Sequence, residues 1–365
     1  MPIYMDRHDI SELVTAENVA ELHRADLKVQ HKFNCRGLTY WFDDVKKIAF
    51  CLVDAPNKES IQKMHNHAHG EVPNQILEVD ASLVESFLGR IKDPVSPLKG
   101  VLNVINDPAQ RTLMAIRIRS LSLIDLSVSK SETSMQKYAK SINDLLESFE
   151  GRLVKQSEGY LLASFKSIKA VLCAFEVEKS LNTLKKGFGN PKISFKIGLA
   201  TGMPVDKDKS FFEDTIKMAN CLCLLERDGI YMSLDVKNAF IAENPDSAFQ
   251  FKKLQSLESS DERFLNLLMD FIRREWQNAE LKVDDFCGSF GMSRTLFYRK
   301  MVMLTGQSPN SFVKEYRLTK ALERLNLKTK TISEIAFETG FNSTSYFSKC
   351  FQKKFGVLPS VYLKP

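Results

Sequence analysis

All six histidines of this 365-residue chain, His8, His23, His31, His65, His67 and His69, fall before residue 70. His65 and His69 stand four apart in KESIQKMHNHA, a spacing that puts both imidazoles on one face of a helix, as two-histidine metal sites require. His67 then points elsewhere, toward solvent. His8 follows a short strand at 2–6, His23 lies on an amphipathic stretch, and Cys51 sits inside the apolar run AFCLVD. Imidazoles joined by one thiolate suit zinc, copper, nickel or iron rather than magnesium or calcium. The other readings of the same residues are a buried cysteine with unrelated surface histidines, or histidines lining a pocket for an organic ligand.

Convergence of these side chains needs a sheet with helices packed on one face. Strand signals at 2–6, Leu38 to Phe42, Ile48 to Asp54 and Gln75 to Val79 alternate with helix signals at Ala16 to Gln30 and Lys58 to Ala68. The second and third strands form a hairpin around Asp43-Asp44. The order βαββαβ is the ferredoxin-like unit, expected over residues 1–90. The segments MPIYMDRHD, VAELHRADL, AFCLVDAP and MHNHAHGEVPNQILEV resemble a small family of bacterial ferredoxin-like domains for which nickel binding has been proposed. The resemblance spans Met1 to Asp80. It implies a metal site of His8, His23, Cys51, His65 and His69, with nickel as the occupant and zinc its rival.

A second module is expected over 106–242, after a boundary near 91–106 where KDPVSPLKG and INDP, carrying Pro94, Pro97 and Pro108, interrupt any regular pattern. RLVKQSEGYLLASFKSIKAVLCAF, ISFKIGLATGMPV, FEDTIKMANCLCLL and GIYMSLDV resemble a class III nucleotidyl cyclase domain. Such cyclases hold two metal ions with two carboxylates, because the attacking hydroxyl and the leaving pyrophosphate both need their charge neutralised. Here the first strand, TLMAIRIRSLSL, has Arg117 or a neighbour where the first acid belongs. The hairpin reads SEG, with Glu158 in the second acid's place. Lys217 and Cys221 stand where the resemblance puts the transition-state asparagine and arginine. One of four roles survives conservatively, so the expectation is no catalytic residue and no enzyme. The alternative is a nucleotide-binding or weakly active cyclase fused to a DNA-binding domain.

The last third, expected as a domain over 261–365 beyond a polar boundary near 242–260, reads as two helix-turn-helix units. KVDDFCGSFGMSRTLFYRKMVMLTG predicts a helix over Val283 to Cys287, a turn around Gly288 and Gly291, and a second helix capped by Ser293. TISEIAFETGFNSTSYFSKCFQKKFG repeats the design, with a helix over Ile332 to Glu338, Gly340 at the turn and a polar cap at Asn342-Ser343. Between them, an amphipathic helix begins at Pro309, a first-turn proline, and runs to Leu325. The blocks GMSRTLFYRK, TGQSPNSFVKEYRLTKALERL and ISEIAFETGFNSTSYFSKCFQKKFGVLPS resemble the DNA-binding domain of AraC-type transcription regulators. Arg294, Thr295, Tyr298 and Arg299 in the first unit then face DNA, if Leu296 and Met301 face inward. Asn342, Ser343, Thr344, Ser345 and Lys349 do so in the second, with Lys353 and Lys354 reaching phosphate.

Charge points the same way. From Asp261 onward there are 17 Lys and Arg against 11 Asp and Glu, which accounts for the whole net charge of +6. A basic third on a neutral remainder is an electrostatic footprint for phosphate contact, although lysine-rich helices also serve solubility alone. No run of eighteen apolar residues occurs and no basic-then-apolar leader opens the chain, so a cytoplasmic protein without membrane contact is expected. Seven scattered cysteines without disulfide or zinc spacing fit a reducing compartment. Taken together, the expected architecture is multidomain: ferredoxin-like, cyclase-like α+β, and a tandem helix-turn-helix bundle. The expected function is a one-component, sequence-specific transcription regulator with sensory input from the N-terminal side. Its expected partners are double-stranded DNA and a second copy of itself through the sheets, with RNA polymerase as an open candidate.

Overall fold

The computed structural model describes residues 1–95, 102–120, 140–157, 159–187, 193–206, 209–226, 229–244 and 255–363. The first sheet contains β1 (Ile3–Asp9), β2 (Arg36–Asp43), β3 (Ile48–Asp54) and β4 (Gln75–Val79), in the order β2-β3-β1-β4 with every pairing antiparallel. Helices α1 (Ala16–Val29) and α2 (Lys58–Ala68) cover one face, which gives the ferredoxin-like unit anticipated from the pattern. Each helix start is fixed locally. Thr15 and Asn18 form a capping box on α1, and the Asn57 side chain accepts from Ser60 N–H at the start of α2.

β1 runs further than expected, through His8 to Asp9, because Arg7, His8 and Asp9 pair with Phe50, Ala49 and Ile48 on β3. Its side chains alternate sides. Tyr4, Asp6 and His8 meet the helices, whereas Met5 turns to the opposite face.

Helix α3 (Ala81–Leu88) leads to a six-stranded sheet of order β10-β9-β8-β5-β7-β6. Its strands are β5 (Arg111–Ser120), β6 (Arg152–Ser157), β7 (Tyr160–Phe165), β8 (Ile193–Gly202), β9 (Gly229–Met232) and the short β10 (Gln255–Ser256). Helices α4 (140–148), α5 (Lys169–Gly187) and α7 (Leu234–Glu243) bury one face through Ile142, Val177 and Phe240. On the other face, α6 (Glu213–Leu222) lies so close to β8 that a Cβ on Gly198 would stand 2.1 Å from the Ala219 carbonyl oxygen. Only glycine fits there.

The two sheets share one apolar core. Met5, Trp41, Phe50 and Leu52 from the first sheet join Leu113, Ala115, Leu162 and Ala200 from the second. Phe87 of α3 fills the space between them, stacked on Phe212 with ring centroids 5.0 Å apart. Pairing of two chains through these sheet faces was expected, but the faces are buried against each other within a single chain.

The last third is helical: α8 (Ser259–Glu275), α9 (Val283–Phe290), α10 (Arg294–Thr305), α11 (Pro309–Asn326), α12 (Ile332–Glu338), α13 (Thr344–Phe355) and α14 (Pro359–Tyr362). α9 continues past the expected Cys287, so Gly288 lies within the helix. The chain reverses at Gly291, whose φ of +59° suits glycine. α8 is shared between modules. Its Leu265 and Leu268 pack with Cys221, Leu222 and Leu225 at the end of α6, and also with Phe286, Phe297 and Met301 of the first helix-turn-helix unit. A second core, around Leu318, Ile335, Phe347 and Phe351, holds the other unit together.

Candidate metal centre and nucleic-acid interface

Under α1 and α2, a connected group of ionisable side chains lies on the first sheet. Asp6 and His8 come from β1, Cys51 from β3, Asp26 from α1, His65 from α2 and His69 from the residue that ends it. Asp26 Oδ1, His65 Nδ1 and His69 Nε2 form a nearly equilateral triangle with edges of 3.1, 3.2 and 3.4 Å. For metal–ligand bonds of about 2.1 Å, ligand atoms stand about 3.4 Å apart around a tetrahedral ion and about 3.0 Å apart around an octahedral one. The triangle matches either. Asp6, His8 and Cys51 offer a second group whose ligand atoms lie within 4.8 Å of one another.

His65 joins the two groups: its Nε2 is 3.0 Å from Asp6 Oδ2 while its Nδ1 faces Asp26. His8 Nε2 is buried, and its one polar neighbour is Asp6 Oδ1 at 3.2 Å, in poor hydrogen-bond geometry. A buried imidazole nitrogen so weakly satisfied fits the role of a metal ligand. Two or three imidazoles, two carboxylates and one thiol fit a borderline divalent metal such as nickel or zinc.

Electrostatics in this group favour charged carboxylates and a charged imidazole. Burial opposes ionisation of Asp6, but His65 and His8 hold its carboxyl far below the usual carboxylate range. Asp26 is lowered for the same reason, with His65 and His69 outweighing burial. Burial disfavours the His65 cation, but Asp6 and Asp26 win and push it up to about 10. Burial, followed by the charges of Asp6 and Asp26, pushes the Cys51 thiol well above its ordinary value. A metal entering here must therefore displace protons from His65 and Cys51.

Of the five residues expected to converge, the structure brings together His8, Cys51, His65 and His69. His23 stands apart, with Nε2 3.2 Å from Asp93 Oδ2 and its ring against Tyr40. It lies one helical turn before Asp26 on the buried side of α1, so the helix carries the carboxylate to the cluster instead. Sequence reasoning missed Asp6 and Asp26, because carboxylates on a strand and a helix are ordinary surface residues until packing buries them. A signal existed for Asp6, since it alternates with Tyr4 and His8 on one side of β1. His67 is exposed, as its spacing required.

At the other end of the chain, Ser293 and Ser343 cap α10 and α13 by accepting from Leu296 N–H and Tyr346 N–H. Arg294, Thr295, Tyr298 and Arg299 are exposed on α10, and Asn342, Ser343, Ser345, Lys349 and Lys353 are exposed at α13. Thr344 is half-buried beside Ser333. Two expectations change. Phe297, not Leu296, points inward with Met301, and Leu296 lies on the exposed face beside the recognition positions. Lys354 is tied to α11 instead of projecting outward, with Nζ 2.7 Å from Glu315 Oε2 and donating to the Glu315 carbonyl. Tyr346, exposed on α13, was not among the expected contacts.

Three of the four cyclase-like positions lie within the described residues, and their side chains are held by neighbouring elements. Lys217 is buried with Nζ 3.0 and 3.1 Å from the two Asp270 carboxylate oxygens on α8, and Cys221 is buried under Leu265 of the same helix. Arg117 donates to Asn220 Oδ1 and lies over the Tyr160 ring. Glu158 lies outside the described residues.

Comparison with known proteins finds matches at both ends of the chain. Residues 286–365 match a family described as helix-turn-helix domain, and residues 4–79 match one described as nickel responsive protein SCO4226-like. Over 107 residues the chain is 37% identical to Histidine kinase P4 of Formosa agariphila, covering 29% of this chain and 8% of that protein. Over 104 residues it is 34% identical to the HTH-type transcriptional regulator ExsA of Pseudomonas aeruginosa, covering 28% of this chain and 37% of the relative. The chain thus spans well under half the length of these relatives. Among solved structures, SCO4226 from Streptomyces coelicolor is 30% identical and covers 21% of this chain and 94% of its own, with a TM-score of 0.20. An adenylate/guanylate cyclase/hydrolase from Silicibacter pomeroyi is 21% identical and covers 38% and 81%, with a TM-score of 0.31. This chain joins an SCO4226-like domain at residues 4–79 to an AraC-type helix-turn-helix domain at residues 286–365.

Proposed function

We propose that the chain is a one-component transcription regulator whose N-terminal module senses a divalent transition metal and whose C-terminal module reads double-stranded DNA. The observation that carries the reading is the pairing of two exposed, serine-capped recognition helices with a buried carboxylate–imidazole–thiol group in one continuous molecule. Nickel is the preferred occupant, held by Asp26, His65 and His69 with Asp6, His8 and Cys51 in reach, and zinc is its competitor. Once bound, the ion supplies positive charge at the centre of the group, which replaces the protons of His65 and Cys51. Arg294, Thr295, Tyr298 and Arg299 read one stretch of major groove, and Asn342, Ser343, Thr344, Ser345 and Lys349 read the next.

Division into 1–90, 106–242 and 261–365 belongs to this proposal, as does a cytoplasmic location. No helix among the described residues is long and apolar enough to cross a membrane. A second copy of the chain and RNA polymerase are the proposed protein partners. Because the sheet faces are covered within one chain, the second copy would use another surface. In this reading the middle module acts as a connector and not as an enzyme: Lys217 and Cys221, two of the four positions that resemble cyclase catalytic residues, are buried against α8.

The test is selection of binding sites from random DNA by the full chain, followed by titration of the selected site with and without nickel. A selected sequence bound at least a hundredfold more tightly than random DNA, with affinity changed several-fold by nickel, supports the reading. Equal affinity for all DNA would sink it, and metal indifference would remove the sensing half.

A further inference from the structure

Helix α11 belongs to both units of the DNA-binding third. It packs with the first through Phe312 and Val313 and with the second through Leu318, Ala321 and Leu325. Between these two sets, Arg317 faces the turn that follows α8. Its guanidinium is half-buried, and burial pushes its pKa down. Among the described residues it meets carbonyls and no carboxylate: Nε donates to the Trp276 carbonyl at 2.7 Å and Nη2 to the Asn278 carbonyl at 2.6 Å. Trp276 ends α8, so Arg317 supplies donors and positive charge to the carbonyl end of that helix. The same turn reaches the second unit. Gln277 Nε2 donates to the Glu338 carbonyl at the end of α12, at 3.0 Å, and Asn342 Nδ2 donates to Glu280 Oε1 at 3.4 Å. Arg324 of α11 lies over the Trp276 ring. The turn of the second unit is pressed against this junction: a Cβ on Gly340 would stand 2.8 Å from Arg317 Nε and 3.0 Å from the Trp276 carbonyl oxygen. Thus α8, whose Phe264, Leu265 and Leu268 lie in the core of the first unit, is tied at its end to the second. α11 joins the units through one helix, and the turn after α8 braces them across it.

We propose that Arg317 is a positioning residue that sets the spacing between the two DNA segments this chain reads, by locking the second helix-turn-helix unit against the end of α8. The inference rests on the reading of α10 and α13 as recognition helices. One extra base pair moves the second segment by about 3.4 Å and turns it by about 35° around the duplex axis. A single helix joining two units can curve to follow such a change. A brace that fixes both units against a third helix resists it. Arginine suits the task, because its planar fork donates to two carbonyls in fixed directions, whereas a lysine ammonium is a point donor on a flexible stem. The residue itself faces α8 and touches no DNA; it acts through the placement of Asn342, Ser345 and Lys349 relative to Arg294 and Arg299.

The experiment measures affinity of the full chain for its selected site, and for that site with one base pair inserted or removed between the two groove segments. Wild type should lose about tenfold or more with either change. Arg317→Met should reduce that loss to about threefold or less while base preference within each segment stays as in wild type, and Arg317→Lys should lie between. A merely structural role would lower the melting temperature or weaken every site alike, and would leave the spacing profile steep. Gln277→Ala changes an exposed side chain and should flatten the profile in the same sense, so it decides the matter even where Arg317→Met does not fold. A flat wild-type profile, or one that stays steep in the folded variants, overturns the proposal. Equal affinity for all DNA instead removes the reading of α10 and α13 as recognition helices, and the proposal falls with it.

Discussion

His65 Nε2 lies 3.0 Å from Asp6 Oδ2, with both side chains buried between the first sheet and its helices. A strand residue and a helix residue 59 positions apart thus share one charge-stabilised contact. Removing the carboxylate leaves the imidazolium with Asp26 alone. Asp6→Asn should destabilise the metal-free chain by about 3 kcal/mol, as measured by urea unfolding in the presence of chelator. Unchanged stability would mean that His65 is neutral when buried.

The pair also sets a pH dependence. Because His65 is raised to about 10, its contribution to folding is complete below the ordinary histidine value and is lost as pH rises through about 10. Asp6 is lowered, so its contribution is complete above the ordinary carboxylate value and is lost only in strong acid. Metal-free wild type should therefore lose stability from about pH 6.5 to 10, and Asp6→Asn should show a flatter profile over that range. A flat wild-type profile contradicts the assignment.

Metal competes with the same protons. Nickel affinity should climb as pH rises from about 7 toward 10, with protons released on binding, detectable by titration in buffers of different ionisation enthalpy. A simple histidine site would instead lose its pH dependence above about 6.5. The double variant His65→Ala, His69→Ala should abolish tight binding, whereas His23→Ala should leave it within about twofold, since its ring faces Asp93.

For DNA, Arg294→Ala should cost about 1–3 kcal/mol and relax preference at one base position. Lys353→Ala should weaken all sequences alike and lower the salt dependence. Lys354→Ala should lower the melting temperature with little effect on DNA, because its ammonium is tied to Glu315 and Thr319 on α11. A footprint should cover two successive major-groove segments about 34 Å apart on one face. Protection of a single groove per chain contradicts the tandem arrangement.

Lys217 and Asp270 predict how the DNA-binding third is held. Asp270→Ala leaves a buried ammonium supported by Asp214 at 3.5 Å, so α8 should loosen from α6. Faster amide exchange along α8 and faster proteolysis between 242 and 260 are the expected readouts. Unaltered exchange would assign the attachment to the apolar contacts of Leu265 and Leu268 alone. The full chain should form no cyclic nucleotide from ATP or GTP with magnesium or manganese; turnover abolished by Glu158→Ala would restore the cyclase reading.

The sequence by itself determined the elements and their capping. Thr15, Asn57, Ser293, Ser308, Thr331 and Ser343 mark helix starts through bonds to backbone a few residues away, and such local chemistry needs no tertiary context. It also determined that His65 and His69 share a face, because helical period alone places them there. Tertiary structure decided which residues join them. Asp6 and Asp26 became partners only when α1 and α2 packed on β1, and the same packing sent His23 to Asp93. It decided that Phe297 turns inward and Leu296 does not, since one helical step separates the two and the position of α8 selects between them. It also decided the fate of the two sheets, whose apolar faces read alike in sequence: each carries alternating hydrophobic residues, and only proximity within the folded chain makes one the cover of the other.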